Sequence, residues 1–280
     1  MLFLQRIIFS FLLCFSFCHA ASTKPLVLVS LSPYTQLVEQ LCEGSCIVET
    51  VIPATADIHF YEPTIQDMQR IAQASCWFGI GESFEQKILQ AIKPQSKIHY
   101  VNLSTYLSLR KSSCGCKHNP SYDLHIWMDP GLMEKQLEVV KDTLIALGLC
   151  EKDQCTKRFE LLQKQLQELN IFCQETLAPF KGEAVIVSHP SFGYYCEAYN
   201  LIQLSIETEG KAPKTGDLEA LVKQAKQLHV RCIFNQMQFE SKAAHTLALL
   251  LQKPLFVVNP YEKNYEKMIR ELTNYIAQSK

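Results

Sequence analysis

Apolar residues along this chain follow two rhythms. Short unbroken runs rich in β-branched residues, such as Leu26-Val-Leu-Val29 and Ala184-Val-Ile-Val187, have the character of strands buried on both faces. Between such runs apolar residues recur every three or four positions, as Leu37, Val38 and Leu41 do, which is the spacing of a helix with one buried face. In order, the pattern predicts strands at 26–30, 47–52, 77–80 and 99–103. The intervening helices open at Pro33, at Glu62-Pro63 and at Phe84, proline being suited to a first helical position.

A polar stretch at 104–124 is followed by a helix from Gly131 to Leu147. A longer one from Thr156 to Leu177 carries Phe159, Leu162, Leu166, Leu169 and Phe172 and is stopped by Pro179. Alternation then resumes, with strands at 184–187, 201–206, 231–234 and 255–258. Helices are expected at 191–199, at 217–228, at 241–251 and from Glu262 onward. Strand–helix alternation on both sides of a long helix predicts an α/β fold of two lobes with parallel sheets. The expected division is an N-terminal lobe at 22–153, a linking helix at 154–179 and a C-terminal lobe at 180–280. No glycine–serine linker interrupts the middle, so a stiff connection is expected.

The first 21 residues stand apart. Arg6 is the only charge in residues 1–20 and precedes an apolar run, with Ala20 and Ala21 after it, the layout of a secretory signal peptide. Cys14 and Cys18 follow the bulky Leu13 and Phe17, which argues against lipid attachment. The mature chain is therefore expected to be exported and soluble, in the periplasm. A formal net charge of −1 gives no electrostatic reason for nucleic acid as a partner. Ten of the twelve cysteines lie beyond the expected signal peptide, a number that suggests disulfides in an exported chain, and the spacings Cys42/Cys46 and Cys150/Cys155 suit staples between a helix end and its turn. Cys76, Cys173, Cys196 and Cys232 sit in apolar elements and are expected as buried thiols.

Chemistry concentrates in three histidines. His59 follows the second strand, His189 follows the strand 184–187, and His125 lies within Asp123-Leu-His-Ile-Trp-Met-Asp-Pro130. Ligands in open α/β sheets bind in the crevice beyond the carboxyl ends of the strands. Two lobes facing each other across such ends would bring the three imidazoles into one cleft. Neutral imidazole is a common metal ligand, and a site of three with an open or oxygen-filled fourth position suits zinc. A ligating imidazole usually gives its other N–H to a carboxylate or carbonyl. Asp57, Glu62, Asp123 and Asp129 are near enough in sequence to serve, although Asp129-Pro130 and Glu62-Pro63 also read as helix caps. His99, His229 and His245 read as surface or satisfied side chains. The segment Cys114-Gly-Cys116-Lys-His118 reads as a solvated loop closed by one disulfide.

These elements together resemble a known family. His59-Phe-Tyr-Glu-Pro63, Asp123-Leu-His-Ile-Trp-Met-Asp-Pro130 and Val187-Ser-His-Pro-Ser-Phe-Gly-Tyr194 are similar, in the right order, to the metal-ligand elements of the zinc- and manganese-binding solute-binding proteins of bacterial ABC transporters (bacterial solute-binding protein family nine). Gly81-Glu-Ser-Phe-Glu85 and Asn259-Pro-Tyr261 are weaker echoes. The resemblance implies two α/β lobes joined by a long helix, with metal ligands at His59, His125 and His189. It also implies delivery to a membrane permease with a cytoplasmic ATPase. A histidine third ligand points to the zinc branch rather than Mn2+ or Fe2+. Two departures stand out: Asn259 occupies a position where the family often has aspartate, and Asn235 one where it often has glutamate. Asn259 as fourth ligand is therefore weaker than water, while Glu62 and Asp123 remain candidates for the fourth or an outer position.

The expected role is an extracytoplasmic Zn2+-binding protein, monomeric and without catalysis. A three-histidine zinc hydrolase or hydratase is the enzymatic alternative, but no H-E-x-x-H helix motif is present.

Overall fold

The computed structural model describes residues 24–92, 96–111, 122–207, 211–239 and 241–279. The expected signal peptide and the Cys114–His118 segment lie outside the described residues.

The N-terminal half runs β1 (Leu26–Val29), α1 (Ser32–Cys42), β2 (Ile47–Thr50), α2 (Ile65–Gln73), β3 (Cys76–Gly79), α3 (Ser83–Ile92) and β4 (His99–Asn102). Two helices follow in succession, α4 (Pro130–Ala146) and α5 (Lys152–Leu177). The C-terminal half continues with β5 (Ala184–Val187), α6 (Gly193–Ala198), β6 (Ile202–Ser205), α7 (Thr215–Gln227), β7 (Val230–Gln236), α8 (Lys242–Leu251), β8 (Leu255–Val258) and α9 (Tyr265–Gln278). Both sheets have four parallel strands, in the orders β2-β1-β3-β4 and β6-β5-β7-β8. The strand order therefore reverses between β1 and β3 in one sheet and between β5 and β7 in the other. A crevice forms outside the carboxyl ends at each reversal.

The long α5 is shaped by its apolar stripe. Cys155, Phe159, Leu162, Leu166, Leu169, Cys173 and Leu177 are buried at spacings of three or four, so one face stays against the protein for the whole helix. At 26 residues it is about 39 Å long, from a rise of ~1.5 Å per residue. Its start is set by Glu151, whose side chain accepts from the backbone N–H groups of Asp153 and Gln154 at 3.0 and 2.9 Å. Residues of α4, α5 and α9 share one continuous hydrophobic core with both sheets, from Val27 and Trp77 through Leu137 and Leu166 to Val185 and Phe234. A smaller cluster, including Ile186, Ile233 and Leu247, fills the far side of the second sheet. The common core makes the helical middle a spine for both halves.

Two sequence expectations need correction. The second helix does not open at Glu62-Pro63. It begins at Ile65, because Thr64 and Asp67 form a reciprocal capping box that places the start two residues later. The expected Cys42–Cys46 and Cys150–Cys155 disulfides are absent: all eight described cysteines are buried thiols. The two members of each pair lie within side-chain hydrogen-bonding reach of each other, and one thiol of each also reaches a backbone carbonyl. Cys46 Sγ donates to Leu149 O at 3.3 Å and Cys150 Sγ to Leu41 O at 3.2 Å. These contacts tie the end of α1 to the α4–α5 turn without a covalent bond.

The shared core predicts a large cost for a cavity in the spine. Leu137 is fully buried on α4. Leu137→Ala should lower stability by about 2–5 kcal/mol, read as an earlier denaturation midpoint with unchanged slope.

Candidate metal centre

Each of the three histidines is set at the carboxyl end of a sheet by a different local device. His59 lies in a single 3-10 turn after β2, where Asp57 caps the turn by accepting from the His59 N–H at 2.8 Å. His125 precedes a second such turn, Ile126–Met128, whose Trp127 is buried and donates its indole N–H to Pro260 O at 2.9 Å. The Gln136 amide supports the same turn through Ile126 O at 3.0 Å. His189 directly follows β5. Its backbone N–H and the Ser188 hydroxyl both donate to Gln236 Oε1 of the neighbouring β7, at 2.6 and 2.7 Å.

The three imidazoles meet. His59 Nε2 is 3.3 Å from His189 Nε2, which is 3.3 Å from His125 Nε2, and ligand atoms of all three lie within 4.8 Å of one another. Nitrogens about 2.0–2.1 Å from one tetrahedral centre would stand roughly 3.3–3.4 Å apart. Among the described residues no carboxylate or thiol joins this group. His189 is fully buried, His125 nearly so, and the His59 side chain is largely covered. Phe239 stacks on His189 at 4.1 Å between ring centres and lies 6.2 Å from His59, giving the cluster an apolar cover.

Carboxylates hold the outer nitrogens. Asp123 Oδ1 is 2.7 Å from His125 Nδ1 and also accepts the His125 backbone N–H at 3.0 Å. Glu207 Oε2 is 2.6 Å from His189 Nδ1. Glu82 Oε1 lies 3.8 Å from His59 Nδ1. A carboxylate accepts only, so Nδ1 of His125 and of His189 must carry the proton. Their Nε2 atoms then face each other as lone pairs when the rings are neutral. Two acceptors 3.3 Å apart in a buried site are unfavourable unless a cation stands between them.

The charge states follow from the surroundings. Burial lowers the His189 pKa below its ordinary value, and the nearby His125 adds to this, although Glu207 acts the other way. That ring is thus kept neutral and able to bind metal. Burial would raise Asp123, but its contacts with His125, aided by the charge of Arg110, outweigh it and hold the carboxyl below its usual range. Glu82 is pushed up to about 7, chiefly by burial, with Glu85 and Asp57 adding to the effect and His125 opposing it.

Of the other candidates from sequence, Asp129 caps α4 by accepting from Gly131 N at 2.7 Å, and Asp57 caps its turn, so both serve the backbone. Glu62 is exposed and outside the cluster. Asn259 Oδ1 accepts from Gln238 Nε2 at 2.8 Å and from Tyr261 N at 3.0 Å, which engages its amide oxygen in the 259–261 turn. Asn235 is buried and accepts from Ser241 N at 2.9 Å. Sequence reasoning missed Glu207, Glu82 as a partner of His59, and Phe239. Glu207 stands just past a predicted strand neighbouring the one before His189, and that placement was its only signal. Glu82 follows Gly81, whose φ of +94° and contacts with Asn102 and Ser104 leave no room for a side chain.

The raised Glu82 pKa makes a signed prediction for metal-free protein. Between the ordinary 4.5 and the folded value of about 7, the folded carboxyl keeps a proton that the unfolded chain has released. Its contribution to stability is full below the lower value and lost as pH rises through the upper one. Glu82→Gln should therefore gain on the wild type by about 2–3 kcal/mol between about pH 5 and pH 8, measured by urea denaturation with chelator present.

Comparison with known proteins identifies the family. The model of a family described as zinc-uptake complex component A, periplasmic, matches residues 27–279. A candidate metal-binding protein of Chlamydia muridarum is 31% identical over 201 residues, covering 72% of this chain and 71% of that protein. The high-affinity zinc uptake system protein ZnuA of Bacillus subtilis is 24% identical over 249 residues, covering 84% of this chain and 78% of its own. A crystal structure of ZnuA superposes with a TM-score of 0.84 at 25% identity, over 91% of this chain and 98% of that one. The chain belongs to the zinc-uptake complex component A family, the extracytoplasmic solute-binding proteins of ABC importers.

Proposed function

We propose that this chain captures one Zn2+ between its two sheets through Nε2 of His59, His125 and His189, and hands it to an ABC-type membrane permease. The observation that carries the reading is the pinned tautomer: carboxylates on Nδ1 of two rings leave unprotonated nitrogens aimed at a common point. Three nitrogen donors without a carboxylate favour zinc over the harder Mn2+, which prefers oxygen. With the Asn259 amide oxygen engaged elsewhere, a water fills the fourth position. The role is transport rather than catalysis. Asp123 and Glu207 are committed to imidazole N–H groups, and Glu82 faces Nδ1 of His59 rather than the converging Nε2 nitrogens, so none of the three stands on the metal side of the rings as the general base a zinc hydrolase needs. Export through the leader at 1–21, residence in the periplasm and action as a monomer complete the proposal.

Protein purified without a polyhistidine tag and dialysed should bind one equivalent of Zn2+ by metal analysis. His125→Ala should weaken that binding by more than the about 10–100-fold typical of losing an outer partner; unchanged affinity in a chelator competition would refute the site. In a mixture of Zn2+ and Mn2+, bound-metal analysis should find mostly zinc. A predominance of manganese would reassign the cargo.

A further inference from the structure

Resting on that reading, we propose that Arg110 is a positioning residue: its guanidinium locks the segment bearing His125 to the helix that follows His189, and zinc retention depends on this clasp.

Asp123 is divided between two partners. Its Oδ1 holds the His125 ring, while its Oδ2 is 3.3 Å from Arg110 Nη1. The same guanidinium reaches across to α6, with Nε 3.2 Å from Glu197 Oε2 and its carbon 5.6 Å from the centre of the Tyr194 ring. Backbone contacts reinforce the join. Arg110 N–H donates to Tyr194 Oη at 3.1 Å, Tyr194 Oη–H donates to Asp123 O at 2.8 Å, and Asp123 N–H donates to Arg110 O at 3.0 Å. Lys111 pairs with Tyr122 in an antiparallel bridge beside it, so the arginine projects from a braced base.

The first residue of α6 is shaped for this side chain. A Cβ on Gly193 would overlap Arg110 Nη1 and come within 2.8 Å of Asp123 Oδ2. Only glycine there lets the guanidinium sit between α6 and Asp123. Because α6 begins four residues after His189, the clasp joins the second and third imidazole-bearing segments directly. A planar, forked cation that presents different nitrogens to two carboxylates suits this bridging place better than a lysine ammonium, which is a compact point charge. Holding Oδ2 fixes the aim of Oδ1, and thereby the aim of His125 Nε2. Parting the two segments to release the ion must break the clasp.

The test measures Zn2+ affinity by competition with a chromophoric chelator and Zn2+ release by stopped flow into excess chelator. Arg110→Met should weaken affinity about 10–100-fold, mainly through faster release. Arg110→Lys should recover part of the loss, and Gly193→Ala should act in the same direction as Arg110→Met. Glu197→Gln removes the charge at the α6 end of the clasp and should weaken binding in the same direction but less than Arg110→Met, because that carboxylate is mostly exposed. The melting temperature of the metal-free variants separates positioning from general destabilisation. The His125 Nδ1–H resonance, shifted by its carboxylate bond, should move in Arg110→Met.

Unchanged affinity and release in Arg110→Met, with His125→Ala still defective, would overturn the clasp and leave the three-imidazole site standing. A loss matched by a lower metal-free melting temperature, not recovered by lysine and with the His125 resonance unmoved, would also overturn it. If His125→Ala itself binds as wild type, the site fails and the clasp has nothing to position.

Discussion

The structure depends on carboxylates gripping the outer nitrogens of imidazoles. Asp123 on His125 and Glu207 on His189 choose the tautomer, and with it the face each ring turns inward. Without those grips the rings could exchange a proton and satisfy one another as donor and acceptor, as buried histidines ordinarily do. With them, the cluster is a set of converging lone pairs that is complete only around a positive charge. Burial strengthens this, because in a dry site neither water nor a stray proton neutralises the mismatch cheaply.

Such convergence requires that distant parts of the chain be held without slack. His189 is 130 positions from His59 and 64 from His125, so loop closure alone works against the site. The fold meets that cost with two parallel sheets whose strand orders reverse toward the same crevice. A helical spine shares its core with both sheets. Local ties finish the alignment: Trp127 to Pro260, Gln236 to the Ser188–His189 backbone, and Arg110 between Asp123 and α6. These ties reach across segments, so the two halves hold the imidazoles together as one body.

The cysteines show what local spacing leaves open. Cys42 with Cys46 and Cys150 with Cys155 do come together as their spacing suggests, yet each stays a thiol, and Cys46 and Cys150 also reach carbonyls of the opposing turn. Sequence proximity brings two side chains near, but which way each points is set by what packs against it. The start of α2 carries the same lesson. Proline at position 63 is compatible with a first helical turn, but the Thr64–Asp67 capping box decides the boundary.

Sequence by itself determined the elements and singled out the three histidines that the fold brings together, because both rest on local rules. Burial on two faces writes unbroken apolar runs, one buried helix face writes a spacing of three and four, and a ligand after a strand is marked by its place in that alternation. Asp123 was legible for the same reason, standing two residues from its histidine. Only the tertiary structure decided the partners drawn from other segments. Glu207 comes from just past β6, the strand beside β5, Glu82 from just past β3, Phe239 from beyond β7 and Arg110 from a loop. Strand order, not chain order, sets which carboxylate meets which imidazole, and strand order is settled by packing that no local stretch encodes.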